Sequence, residues 1–210
     1  MNQILQKRVV PVAVIDKVED AVPLATALLA AGLDVIEVTF RTAAAPDAIR
    51  AIAQAHPNML VGAGTLLEVS QVKQAKAAGA KFGVAPGLNA TTVKASLELG
   101  MPFVPGVATA SDVELALALG CKLQKLFPAD VLGGVKLLKA FAGPYGHTGV
   151  KFIPLGGVNA GNMGEYLTLP IVAAIGGSWI VDKKLIVEKK WSEITALTKA
   201  ALSIAQAAKA

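Results

Sequence analysis

A lysine inside an apolar, strand-like run carries the most pointed chemistry in this chain. It is Lys125, in LQKLFPAD (residues 123–130), flanked by Leu123, Leu126 and Phe127 and followed by Pro128. Burying an unpaired ammonium is costly. Alternate residues of a strand share a face, so Lys125 points the same way as Leu123 and Phe127. If those two face inward, the amine does too. Desolvation favours the neutral amine there, and a nearby cation pushes in the same direction. A neutral amine attacks ketones and forms a Schiff base. The alternative is a lysine whose stem packs while its head reaches water. Lys81, Lys122 and Lys151 begin their strands and are weaker candidates.

VIEVTFR (35–41) supplies a second row of polar groups. Ile36, Val38 and Phe40 share one parity and suit the side facing surrounding helices. Val35, Glu37, Thr39 and Arg41 share the other, which places a carboxylate, a hydroxyl and a guanidinium in line. Carbinolamine formation, its dehydration and carbon–carbon cleavage all need proton shuttling. One carboxylate near the lysine, Glu37, serves each step. A local Glu37–Arg41 ion pair is the plainer reading of the same row.

Glycine-bearing strand ends come next: GAGT (62–65), PLGGVN (154–159) and IGGSW (175–179). Glycine lets a ligand approach backbone N–H groups closely. The two GG pairs, at the seventh and eighth strand ends, point to phosphate binding, with Ser178 adding a hydroxyl. His56 and His147 lack metal-ligand partners at helical or strand spacing, and no HExxH, CxxC or carboxylate pair with metal-site spacing occurs. No metal and no cofactor is expected. Cys121 is the one cysteine, so no intrachain disulfide can form, and a reducing cytoplasmic setting is expected.

Positioning such groups is the task of the elements around them. Val/Ile-rich runs typical of buried parallel strands fall at 9–15, 34–40, 59–65, 81–86, 102–107, 122–127, 151–155 and 171–177. Helical stretches follow at 19–31, 44–55, 68–78, 90–99, 111–119, 132–141, 161–168 and 191–208. AAGLDV, KAAGAKF, LELGMPF and LALGCKL each put a Gly at a left-handed helix end. Ser111–Asp112 and Asp47 lie near helix starts. No linker divides the 210 residues. The expected fold is α/β, one (β/α)₈ TIM barrel over 1–210, in which active sites form at the C-terminal ends of the strands. An open doubly wound sheet is the alternative, and no GxGxxG follows the first strand to support it.

Composition narrows the partners. The chain is 54 % hydrophobic, yet no apolar run reaches the ~20 residues that span a bilayer. MNQILQKRVV does not read as a signal peptide. A net charge of +5 suits small anions. Aromatics do not interleave with basic residues, so neither nucleic acid nor membrane is an expected partner. The Lys183–Lys184 and Lys189–Lys190 pairs read as solvated surface around an apolar turn.

VPVAVI, GLDVIEVTFRT, VGAGT, APGL, PGV, LQKLFPAD, GGVK, AGPYG, PLGGVN and IGGSW fall in order along nearly the whole chain. Together they resemble the 2-keto-3-deoxy-6-phosphogluconate (KDPG) aldolases, which also cleave 4-hydroxy-2-oxoglutarate (KHG). The resemblance implies a class I aldolase on a (β/α)₈ barrel, a homotrimer needing no metal. It implies reversible release of pyruvate with glyceraldehyde 3-phosphate or with glyoxylate. By motif, Lys125 is the implied Schiff-base lysine and Glu37 the acid/base. Arg41 and Thr65 would hold the pyruvate carboxylate, and Pro86 and Phe127 would line the pocket. Gly156, Gly157, Gly177 and Ser178 would hold a substrate phosphate. The chain departs from the family at Leu155, where PTGG is usual. It also has Ile15-Asp16-Lys17 where some relatives carry an Arg, making Lys17 a candidate phosphate cation. Two other readings are a phosphate-binding isomerase or decarboxylase, which needs no nucleophilic lysine, and a catalytically silent barrel.

Overall fold

The computed structural model describes residues 1–208. Nine short parallel strands run through it: β1 (Val9–Ala13), β2 (Val35–Thr39), β3 (Leu60–Gly64), β4 (Phe82–Val84), β5 (Phe103–Val104), β6 (Gly106–Val107), β7 (Leu123–Leu126), β8 (Lys151–Pro154) and β9 (Ile175–Gly177). They form the expected (β/α)₈ barrel, with differences in its fifth and eighth strands. PFVPGV, read as one strand, is cut at Pro105 into β5 and β6, because proline has no N–H to give a ladder.

Hydrogen bonding follows that cut. One arc has the order β5-β4-β3-β2-β1-β9 and the other β6-β7-β8. Covalent continuity through Pro105 joins them on one side. On the other, Phe152 N–H donates to Ile171 O (2.8 Å) and Ala173 N–H donates to Phe152 O (2.9 Å). The predicted eighth strand is thus divided too. Residues 171–173 reach β8, whereas β9 pairs with β1.

Helices surround the strands: α1 (Asn2–Lys7), α2 (Ala21–Ala30), α3 (Ala45–Ala55), α4 (Val69–Ala78), α5 (Ala90–Glu98), α6 (Ala110–Ala118), α7 (Gly134–Tyr145), α8 (Met163–Leu167), α9 (Lys183–Val187) and α10 (Trp191–Ala207). Eight of these match predicted stretches. The other two, α1 and α9, are short and carry little apolar periodicity, which is why the sequence pattern does not reveal them. Their ends follow local chemistry. Gly32, Gly79, Gly100 and Gly120 take positive φ just past helix ends. Asn89 caps α5 by accepting from the N–H groups of Thr91 and Thr92. Thr109, rather than Ser111, caps α6, in a reciprocal box with Asp112.

The core is continuous from the barrel interior to the helix layer. Ile36, Val38, Leu24, Leu28, Ile49 and Ile52 are fully buried between β2 and the helices. Glu37, Thr39 and Arg41, of the opposite parity in VIEVTFR, line a cavity at the barrel mouth that Ile36, Val38 and Phe40 do not border. The lysine pairs at 183–184 and 189–190 are exposed, as expected, and surface ion pairs form among them. Lys183 Nζ pairs with Asp16 (2.7 Å) and Lys190 Nζ with Glu188 (2.9 Å), on either side of α9.

Candidate active site

Register brings the inward row of β2 and the inward row of β7 to one mouth. Glu37 lies opposite Val12 and Gly62, and Lys125 lies opposite Gly106 and Ile153. From those two strands the side chains converge. Lys125 Nζ is 3.9 Å from Glu37 Oε1, and the residues are only 6 % and 2 % exposed. The ion pair along β2, from Glu37 to Arg41, is not formed among the described residues. Lys125 Nζ also lies 5.1 Å above the Phe127 ring, within range of a cation–π contact.

Glu37 owes its place to missing side chains. A Cβ on Gly64 would sit 2.0 Å from Glu37 Oε1, so the second glycine of GAGT makes room for the carboxyl group. Burial pushes the Glu37 carboxyl above its ordinary value of 4.5, opposed by the charges of Lys125 and Arg41. Oε1 is buried and accepts no hydrogen bond among the described residues. A buried carboxyl held above its ordinary value and bordering an open cavity can both give and take a proton.

That cavity has a volume of about 290 Å³. All ten residues singled out from the sequence line it. Glu37, Arg41, Thr65, Pro86, Lys125 and Phe127 occupy one part of the wall. Gly156, Gly157, Gly177 and Ser178 belong to the loops after β8 and β9. Five further residues complete it: Val12, Val14, Thr39, Leu155 and Val158. Thr39 and Leu155 are marked by parity and by the PLGG departure. The three valines carry no signal of their own, because a valine in such a strand reads as core.

Thr65 holds an unusual backbone position, with φ 58, in the left-handed region that β-branched residues rarely occupy. The GG loop is tightly fitted. Gly157 has φ 81, and a Cβ there would lie 2.3 Å from that of Asp130. The N–H groups of Gly156 and Gly157 donate to no protein acceptor among the described residues. Two free amides beside the Ser178 hydroxyl make a neutral cradle for an anion.

Lys17 is not brought to this cavity. It lines a separate one with Asp16, Glu19 and Lys189. Val14 borders both cavities, and Asp16 is engaged with Lys183. Lys122 and Lys151 lie beside a cavity lined by residues from α1, α5 and the chain leading into β7, away from Glu37. Cys121 borders that same cavity, its thiol pushed up by burial, so it is no rival nucleophile. No cluster of three or more His, Cys, Asp or Glu side chains with metal-binding geometry occurs among the described residues.

A family model described as KDPG and KHG aldolase matches residues 1–197. The chain is 47 % identical over 197 residues to the 2-dehydro-3-deoxy-phosphogluconate aldolase of Treponema pallidum, covering 94 % of this chain and 93 % of that one. It is 45 % identical over 194 residues to the KHG/KDPG aldolase of Escherichia coli K12, covering 92 % and 90 %. Among solved structures, the KDPG aldolase of Legionella pneumophila, with pyruvate captured at low pH as a covalent carbinolamine intermediate, superposes with a TM-score of 0.91 at 42 % identity. That match covers 95 % of this chain and 96 % of the other.

Proposed function

The chain belongs to the KDPG and KHG aldolase family and is a class I aldolase, and from that premise we propose that Lys125 is its Schiff-base nucleophile and Glu37 its single acid/base. The observation that carries this assignment is the buried 3.9 Å approach of the Lys125 amine to the Glu37 carboxyl at the floor of one cavity.

In the cleavage direction, the unprotonated amine of Lys125 attacks C2 of a 2-keto-4-hydroxy acid. The carbinolamine loses water as Glu37 gives a proton to the departing oxygen. A carboxyl held above its ordinary value still carries that proton where a free glutamate would not. The resulting iminium draws electrons from the C3–C4 bond while Glu37 takes the C4 hydroxyl proton. The aldehyde leaves and an enamine of pyruvate remains. Protonation at C3 and hydrolysis then return pyruvate and the free amine. Arg41 and Thr65, on neighbouring β2 and β3, suit the pyruvate carboxylate, and Pro86 and Phe127 flank it. The amides of Gly156 and Gly157, with Gly177 and Ser178, suit the phosphate of KDPG. KHG cleavage, giving glyoxylate, uses the same floor without needing that cradle.

We read the working enzyme as a cytoplasmic homotrimer acting on small 2-keto acids. Exposed Leu97 and Leu99 at the end of α5, with Leu115 on neighbouring α6, offer apolar surface that such an assembly would cover. No helix among the described residues is long and apolar enough to cross a membrane.

Incubation with pyruvate and borohydride, followed by peptide mass analysis, tests the assignment. A reduced pyruvate adduct on Lys125 is expected. An adduct on another lysine, or none, overturns it.

A further inference from the structure

The cavity wall is divided by charge, and the aliphatic side chains of its apolar half have no role in the reaction set out above. Going round the barrel, Glu37 and Arg41 come from β2 and its end, Thr65 from the end of β3, and Lys125 from β7. These form the keto-acid half. The strands β8, β9 and β1 are consecutive, joined through residues 171–173 and the β9–β1 ladder. Their mouth-facing residues are Val12, Val14, Leu155, Val158 and the glycines, with Ser178 as the sole polar side chain. Among the described residues, no charged side chain lines this arc. The nearest candidate, Lys17, opens on another cavity, and Lys183 is paired with Asp16.

Leu155 anchors the arc. It is buried, and a Cβ on Gly176 would fall 2.5 Å from its Cγ and Cδ1, so the isobutyl group occupies the room that glycine leaves. Its own backbone is fixed at both ends. Leu155 N–H donates to Leu126 O (3.0 Å), and Leu155 O accepts from Ala129 N–H (2.6 Å). The side chain is therefore a rigid apolar wall. A phosphate in this half meets neutral donors and no countercharge, whereas an alkyl chain meets four aliphatic side chains.

We propose that this half of the cavity makes the enzyme an aldolase for uncharged aliphatic aldehydes, joining them to pyruvate to give 4-hydroxy-2-keto acids with an alkyl tail. The proposal rests on the aldolase reading and extends its acceptor class. Pyruvate bound to Lys125 as an iminium gives a C3 proton to Glu37. The enamine carbon attacks the aldehyde carbon and forms the C3–C4 bond. The aldehyde oxygen takes the proton back from Glu37. Water then releases the product and the amine, so no oxidant or further reactant is required.

The test is kcat/KM for pyruvate addition to acetaldehyde, propanal, butanal and pentanal, beside a borohydride trap with pyruvate alone. Burial of each methylene against the arc gives about a fourfold gain, so a steady rise along the series is expected. Leu155→Asn and, independently, the near-isosteric Val12→Thr should each reduce the gain to less than about twofold per methylene. A flat or falling wild-type series with a normal pyruvate adduct overturns this proposal alone. A rising series that neither folded variant flattens overturns it as well. Failure to trap pyruvate on Lys125 overturns the aldolase reading and this proposal together.

Discussion

Lys125 Nζ and Glu37 Oε1 face each other at 3.9 Å from β7 and β2, too far apart to share a hydrogen bond and too deep for water to screen them fully. The pair is therefore costly to the fold. A buried ion pair replaced as a unit by apolar or neutral groups of similar size is often neutral or stabilising by about 1–4 kcal/mol. Lys125→Met combined with Glu37→Gln is expected to raise the unfolding free energy within that range, measured by urea denaturation, and to abolish turnover. A double variant less stable than the parent would mean that the pair supports the fold.

The pH dependence follows from Glu37. Burial, opposed by Lys125 and Arg41, holds its carboxyl above 4.5 in the folded chain. Between 4.5 and that raised value the folded protein keeps a proton that the unfolded chain has released. Its contribution to stability is thus fully present below 4.5 and is lost as pH rises to the raised value. Glu37→Gln cannot titrate, so the stability of the natural chain relative to this variant should fall across that interval, as read from paired thermal melts. The limb on which kcat/KM falls with rising pH, as Glu37 loses the proton it must donate, should likewise have its midpoint above 4.5.

Thr65 holds φ 58 at the cavity wall. Left-handed backbone costs a β-branched residue about 1–3 kcal/mol, and glycine would release it at an entropic cost of about 0.5–1 kcal/mol. Thr65→Gly should match or exceed the natural chain in stability. Loss of a hydroxyl donor to a carboxylate, worth about 1.5–3 kcal/mol, should lower kcat/KM by about 10- to 100-fold, chiefly through the KM of the keto acid. Steady-state kinetics with a melting curve measure both effects.

Under the proposed assignment, Gly64 and Gly157 should separate the chemistry from the phosphate. A methyl at Gly64 collides with the Glu37 carboxyl, and one at Gly157 collides with Asp130 beside the GG loop. Gly64→Ala should reduce turnover of KDPG and KHG alike, by about 10²–10⁴-fold. Gly157→Ala should impair KDPG far more than KHG. Parallel assays on the two substrates distinguish the cases, and equal loss from Gly157→Ala would remove the phosphate from that loop.

Much of this was legible in the sequence because a parallel barrel ties chemistry to parity. Lys125 and Glu37 stand out as charges in rows that must otherwise be apolar, and glycines at strand ends mark close approach. The misses have physical causes. The Pro105 break lies in plain view in PFVPGV, but a single proline does not say whether it interrupts a strand or bounds one. Lys17 lies one turn beyond β1, where the direction of the loop decides its cavity and strand parity no longer applies. Val12, Val14 and Val158 cannot be told from core valines until the barrel is closed. The departure at Leu155 is visible in PLGG, yet its packing on Gly176 depends on β9 lying beside β8.

The two seams of the barrel put Glu37 and Lys125 on different hydrogen-bonded arcs. Neither piece of the molecule owns the reaction. A chain severed in the α5–β5 connection would yield two fragments, each carrying half of the reactive couple, and activity would report their reunion.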